Sequence, residues 1–422
     1  MPRTVACGID FGTSNSTVSI STEEGKKLVP LEDGKSTLPS AIFFQEKSAP
    51  LFGRKAVSSY TDGETGRFMR GLKKILGTPL MDDTTKIGNR SVPFTEILKT
   101  FIAHLKDSAE HFAQSQIESV VLGRPVHFHD NNIAADKKSQ ETLENIAKQA
   151  GFKNVEFLYE PIAAAFAHEE HIEKEKLSLV ADLGGGTSDF TVIRISRQKT
   201  NKQDRKEDIL STSGVRIGGT TFDYRLSLKN FMPELGLGTK YRDMFDKKKL
   251  LPVPTGVYFQ LSDWALVNFA QTPKAIAETL DLKKRALDAT RLGYLLKLQQ
   301  NHYGHALLGV VEDTKIALTE KEQETAQLKN IDPDLYFTVS RQSFENAIEE
   351  DVSRIFIAID ECIARAGVTA SQIDLVILTG GSTELPIINE IIRQRFPHAD
   401  ISQGNKLDSV GLGLAYRAAN IF

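Results

Sequence analysis

The sequence predicts an α/β protein built as two similar lobes with a cleft between them. Three observations carry that prediction. A short apolar run, a polar glycine-rich turn and an alternating return strand occur twice in the chain. Segments with helical spacing of apolar residues fill the interval between the copies. The 422 residues are 40% hydrophobic and 25% charged, the balance of an ordinary globular protein.

In chain order, Val5 to Ile9 reads as a buried strand, Asp10 to Asn15 as a tight polar turn, and Thr17 to Ile20 as the alternating return strand. Phe94 to Gln114 has apolar residues at helical spacing, and Ala134 to Ala150 is a helix closed by Gly151. Pro161 opens another helix, where its missing N–H costs nothing. The strand grammar then returns: Leu177 to Ala181, a turn from Asp182 to Asp189, and the alternating strand Phe190 to Ile195. The two copies lie 172 residues apart, a spacing that implies paired lobes rather than a solenoid. Residues 197–208 read as a solvated mixed-charge loop and 236–257 as an irregular stretch. Pro273 to about Leu318 is helical and predicts a separate subdomain. Leu375 to Leu378 is a buried strand, Thr379 to Ser382 a turn, and Leu385 to Phe396 a helix.

Charge and composition exclude several classes of function. Lys and Arg number 52 against 55 Asp and Glu, a net charge of −3, which argues against binding nucleic acid by phosphate neutralisation. No stretch approaches the roughly 18 apolar residues of a membrane span, and Asp10 cuts off the N-terminal apolar run before it resembles a signal peptide. Two cysteines, Cys7 and Cys362, rule out a disulfide scaffold and point to a reducing cytoplasm.

The glycine turns carry the chemistry. Gly184, Gly185 and Gly186 let backbone N–H groups crowd into an anion-binding nest. The flanking Asp182 and Asp189 would repel a bare phosphate, so a divalent cation belongs between them, and Mg²⁺ fits because it keeps its waters. Asp10 at the same place in the first copy makes the site two-sided, able to clamp the phosphates of a nucleotide. Either turn alone would pass for a simple strand connection; the matched pair does not. Gly380-Gly381-Ser382 follows a strand and precedes a helix, the placement a phosphate or ribose contact needs. Gly34-Lys35-Ser36 resembles the end of a P-loop, but Val29 stands where the first glycine is required.

These residues resemble the actin/Hsp70/sugar-kinase ATPase superfamily, and within it the Hsp70 nucleotide-binding domain. Gly8 to Ser16 is similar to the first phosphate loop, Asp182 to Asp189 to the second, Tyr159 to Ala165 to the connecting segment and Leu378 to Thr383 to the adenosine loop. Weaker matches are Asp33 to Ser40, Lys73 to Gly77, Ile217 to Asp223 and Glu312 to Thr319. The shorter bacterial YegD-type Hsp70-like proteins, which lack a substrate-binding domain, resemble the chain most. The resemblance implies an actin-like ATPase fold: two lobes, each with a duplicated ribonuclease-H-like βα core, in four subdomains around a nucleotide cleft. Lobe I would span residues 1–175. Lobe II would span 176–400, with a helical subdomain at about 225–315, and residues 401–422 would return to lobe I as a helix.

The resemblance also implies ATP or ADP and Mg²⁺ as cofactors, with K⁺ an additional candidate. Asp10 and Asp182 would hold Mg²⁺ through its waters, with Glu160 and Asp189 further out. Lys73 would stabilise charge on the γ-phosphate; Asp10, Glu160 or Asp182 would position water; Thr187 completes the catalytic set. Gly12, Thr13, Ser14, Asn15, Gly184, Gly185, Gly186, Thr187, Gly218 and Gly219 would surround the phosphates. Glu312 and Lys315 would reach the ribose, with Gly381 and Ser382 beside the adenosine, and Thr319 and Gly380 would also line the cofactor.

Ile316 and Glu384 replace two arginines that flank adenine in the family, which weakens base stacking. Glu156 and Glu144 stand where coupling arginines are expected, the latter beyond the proline switch at Pro125, so ordinary J-protein coupling is not expected. The implied function is slow Mg-dependent ATP hydrolysis driving lobe closure, with protein partners or clients. Alternatives are a nucleotide-sensing module that does not hydrolyse and a small-molecule kinase of the same superfamily. An actin-like filament ranks last.

The remaining signals read blandly. His127, His129 and Asp130 resemble a chelating cluster but sit at a strand-to-helix junction, and His168 and His171 lack a third ligand nearby. Trp264 reads as packing or a partner contact.

Overall fold

The computed structural model describes residues 6–22, 25–45, 48–61, 64–129, 132–169, 172–199, 206–329, 331–333, 335–402 and 409–422. The chain divides into two units, Met1–Gly219 with Ser353–Phe422, and Thr220–Val352.

Two sheets of one plan organise the first unit. In one, Ala6–Phe11 is antiparallel to Asn15–Thr22, which is antiparallel to Gly25–Leu28; Ala6–Phe11 also runs parallel to Ser119–Arg124, and that strand parallel to Asn154–Tyr159. In the other, Lys176–Leu183 is antiparallel to Ser188–Ile195, which is antiparallel to Ile209–Val215. Lys176–Leu183 also runs parallel to Leu375–Thr379, itself parallel to Asp400–Ser402. Strand order and direction coincide. The repeat in the sequence is a repeat of structure, and each glycine turn closes the same hairpin of its sheet.

Helices cover these sheets. Phe94–Ala113 packs Leu98, Phe101, Ile102 and Leu105 into a core shared with Ile9, Phe11, Val18 and Ile20. Ile133–Gln149 is started by the Asn132 side chain, which accepts from the Ala135 N–H, and Gly151 follows it with φ of 103°. Ala163, Ala164 and Ala165 of the Glu160–His168 helix share one apolar cluster with Val121, Val180, Ile193, Val410 and Leu414.

Alternation in the return strands implies one wet face, and there the structure differs. Thr17, Val18, Ser19 and Ile20 are all buried. The C-terminal helix Ser409–Ile421 lies over the first hairpin, and Ser19 Oγ donates to the Gly411 carbonyl at 2.5 Å. The polar residues of this strand face a helix backbone instead of water. That helix comes close to the strand because Gly411 has no Cβ, which would lie 2.6 Å from Thr17 Oγ1, and Gly413 lets it approach the Ala163 backbone of the Glu160–His168 helix.

The second unit carries the helices Pro273–Arg285, Ala289–Gln300 and Gly304–Glu320, with a hairpin of Gln323–Gln327 and Tyr336–Ser340. The stretch read as irregular at 236–257 contains a second hairpin, Lys240–Arg242 with Leu250–Pro252. Its turn is held by Asp243 Oδ1, which accepts from the Phe245 N–H at 2.8 Å, an Asx arrangement that periodicity does not reveal. Trp264 is buried and packs against His305 with ring centroids 5.9 Å apart, so it belongs to the core.

The loop at 197–208 is less solvated than its charges suggest. Asp208 is buried and ion-paired to Lys199, which also reaches Glu175 at 2.8 Å. Residues 200–205 of this loop, with Asp130 and His171, lie outside the described residues. Among the described residues, no helix is long and apolar enough to cross a membrane.

Candidate nucleotide site

Both glycine turns sit at the ends of hairpins whose last pairs bring acids into position. In the first, Asp10 is paired with Thr17 and Phe11 with Ser16, leaving Gly12, Thr13 and Ser14 as the connection. In the second, Asp182 is paired directly with Asp189 and Leu183 with Ser188. The two turns meet. A Cβ on Gly185 would collide with the Ser14 side chain, and one on Gly186 would lie 2.5 Å from Thr13 Oγ1. Only residues without side chains allow this approach.

Neighbouring segments hold each turn. Ser40 Oγ donates to the Gly12 carbonyl at 2.7 Å and meets Ser16 Oγ at 2.8 Å, while the Ser40 N–H donates to the Ser14 carbonyl at 2.9 Å. The second turn is closed by the Gly184 N–H on the Thr187 carbonyl at 2.9 Å. The Gly184 carbonyl then accepts from the Gly219 N–H and from Ser382 Oγ, both at 3.0 Å. Gly218, Gly219, Gly380, Gly381 and Ser382 are thereby gathered around the second turn.

A compact charged cluster accompanies the turns. Lys73, on the short helical turn Leu72–Ile75, is buried and donates to Glu160 Oε1 at 2.6 Å. Glu160 is buried at the first position of its helix. Lys73 is therefore not the solvated helix lysine that a Lys-rich chain suggests. Burial opposes its charge, but Glu160 and then Asp10 outweigh that and hold its pKa above the usual lysine value.

The acids are strained electrostatically. Burial, and next the Glu160 carboxylate, push Asp10 up to about 7 against the pull of Lys73. Burial and Glu160 likewise raise Asp189 to about 7, although the Val126 N–H (2.6 Å) and the Thr187 hydroxyl bond to it. Asp182 is driven well above the ordinary carboxylate range by burial, then by Glu160, Asp189 and Asp10. Four carboxylates thus share one ammonium in a poorly solvated place, an arrangement suited to further positive charge. Among the described residues, no three His, Cys, Asp or Glu side chains stand in direct metal-ligand geometry.

Glu312, Lys315 and Thr319 belong to the second unit, on the Gly304–Glu320 helix. There Lys315 Nζ lies 2.7 Å from the buried Asp223, the last residue of the Ile217–Asp223 motif, and Thr319 Oγ1 donates to the Ile316 carbonyl. Ile316 is 56% exposed and Glu384 is exposed. His127 is exposed, whereas both ring nitrogens of His129 are engaged with Leu76 and Arg216.

A cavity of about 650 Å³ lies elsewhere in the first unit, lined by Arg124, Glu144, Glu156, Tyr159, Phe166 and Arg417. It shares no residue with the carboxylate cluster. Reading the sequence missed the Val126 N–H and Arg216, named Ser40 only inside a motif, and took His129 only as part of a possible chelating cluster. A backbone donor and an arginine outside any glycine turn leave no periodic or spacing signal. A family model described as Hsp70 protein matches residues 6–99, 84–249 and 295–421, which together take in most of the chain.

Proposed function

The chain belongs to the Hsp70 family, whose members share the actin-like ATPase fold and bind ATP or ADP with Mg²⁺, and from that premise we propose that it hydrolyses ATP slowly and uses the hydrolysis to drive lobe closure. The observation that carries this reading is the Lys73–Glu160 pair at 2.6 Å among Asp10, Asp182 and Asp189, beside two touching glycine turns. In this reading the two sheets of one plan are the ribonuclease-H-like cores of lobes I and II.

The donor set fits Mg²⁺, because hard carboxylate oxygens with an excess of negative charge suit an ion that keeps its waters. When bound, Mg²⁺ would neutralise the phosphate oxygens. Asp10 and Asp182 would hold its waters, with Glu160 and Asp189 behind them. Lys73 is kept charged and aimed by Glu160, ready to meet the γ-phosphate. Thr13, Ser14 and Thr187 supply hydroxyls, and the glycine turns supply backbone N–H donors. Asp10, with a pKa near neutrality, can position a water and accept its proton. Phosphoryl transfer asks for positioning and charge neutralisation more than covalent help, so these parts suffice for slow hydrolysis.

Exposed Ile316 and Glu384, in place of adenine-flanking arginines, favour a second reading in which the protein senses nucleotide without turning it over. The free, buried thiols of Cys7 and Cys362 suit a cytoplasmic location. Calorimetry with ATP, ADP and GTP, with and without Mg²⁺, followed by turnover, tests the proposal. We expect Mg-dependent binding and a loss of turnover of about 100-fold in Thr187→Val. Tight binding with no turnover selects the sensing module. ATP use that climbs when sugars or polyols are added selects a kinase.

A further inference from the structure

We propose that His129 and Arg216 form a brace that positions Lys73, linking the sheet of the second glycine turn to the peptide segment that carries the lysine. The role rests on the reading of Lys73 given above, but the brace itself rests on geometry. Lys73 lies in a short segment bounded by Gly71 and Gly77, both with left-handed φ (73° and 71°), so the segment is pivoted at each end. Two of its carbonyls are held from outside. His129 Nε2–H donates to the Leu76 carbonyl at 2.7 Å, and Arg216 Nη2 donates to the Lys74 carbonyl at 3.4 Å. Arg216 Nη1 donates to His129 Nδ1 at 3.0 Å.

One neutral tautomer satisfies all of this, with the proton on Nε2 and the lone pair on Nδ1. The imidazole therefore serves as a two-ended spacer. One end grips the Lys73 segment and the other is set by a guanidinium.

Arg216 is placed where it can report on the second turn. It follows Val215, which pairs with Ser188 at the mouth of the second hairpin, and precedes Ile217, whose carbonyl accepts from Ser188 Oγ at 2.7 Å. Ser188 in turn pairs with Leu183, one residue from the glycines. A displacement of the second turn would pass through Ser188, Arg216 and His129 to the Lys74 and Leu76 carbonyls. Lys73 is buried against Glu160, so a small shift of its backbone moves the ammonium relative to any bound phosphate. His129 and Arg216 touch neither nucleotide nor reacting atoms in this scheme; they are positioning residues.

The test uses His129→Phe, which keeps a ring but no hydrogen bonds, His129→Gln, whose amide offers a donor and an acceptor, and Arg216→Met. Two readouts are taken on the full chain: amide hydrogen exchange at Lys74, Leu76 and Thr78, and steady-state ATP turnover. We expect exchange at these amides to rise about tenfold in His129→Phe and Arg216→Met, at an unchanged global unfolding midpoint. Turnover kcat should fall about tenfold with KM for ATP within twofold of wild type, and His129→Gln should restore both. Wild-type exchange and kcat in His129→Phe overturn the proposal, as does a fall in kcat that His129→Gln fails to rescue. Should the wild-type chain hydrolyse no ATP, the functional reading fails, and the exchange data alone decide the brace.

Discussion

The two hairpins share strand order, direction and a glycine turn, yet they are supported by different means. The first turn is latched by side-chain hydroxyls, Ser40 on Gly12 and Ser16 on Ser40, from a segment about two dozen residues on. Backbone and one distant hydroxyl hold the second, with Gly219 and Ser382 both on the Gly184 carbonyl. Their acids differ as well. Asp10 is half-buried, whereas Asp182 and Asp189 are buried and face each other across one pair of strands. A duplicated motif thus has one rim partly open and one rim packed into the core. Desolvation is heavier on the second rim, so the cost of its charge is greater there.

The largest effect should come from neutralising the two equivalent acids. Asp10→Asn and Asp182→Asn should each lower ATP turnover by about 100-fold or more. Their effects on stability should differ: Asp182→Asn relieves a buried, repelled carboxylate and should raise apo stability by about 1–2 kcal/mol, with Asp10→Asn giving less. Equal thermal midpoints for the two variants would erase the distinction between the rims.

A second test uses pH. Asp10 and Asp189 sit at about 7 against an ordinary value of 3.8. Because the folded values are raised, their stabilising contribution is complete below the ordinary value and is lost as pH rises through 7. Apo stability should therefore decline between about pH 4 and pH 7 and level off above that. Binding of Mg·ATP at about pH 6.5 should release protons, since added positive charge favours the ionised acids. Calorimetry in buffers of different ionisation enthalpy reads this release, and Asp10→Asn and Asp189→Asn should each diminish it. Buffer-independent heats would show that these acids do not titrate on binding.

The smallest effect separates the latches. Ser40→Ala removes two hydroxyl contacts of the first turn and should cost about 1–2 kcal/mol; Ser382→Ala removes one and should cost about 1 kcal/mol or less. Denaturant midpoints measure both, and the reverse order would mean that the second turn depends more on its single hydroxyl.

Much of this protein was legible without coordinates, because glycine turns and apolar runs are local signals. Asp10, Asp182, Asp189 and the glycines declare themselves by spacing, and Lys73 and Glu160 by resemblance to a family the chain does belong to. The supports were not legible. Ser40, His129 and Arg216 act through contacts between segments that no periodicity connects. The hidden wet face of Thr17 and Ser19 failed for the same reason, since a helix almost four hundred residues away supplies the Gly411 carbonyl.

The chain order of residues by itself determined the doubled hairpin, the Gly-rich turns and the acids beside them, because steric freedom at glycine and strand alternation act within a few residues. Only the tertiary structure decided that the turns touch, that Lys73 is buried on Glu160, and that four acids share its charge. Those are matters of distance and desolvation between remote segments, and the electrostatics of the site depend on both.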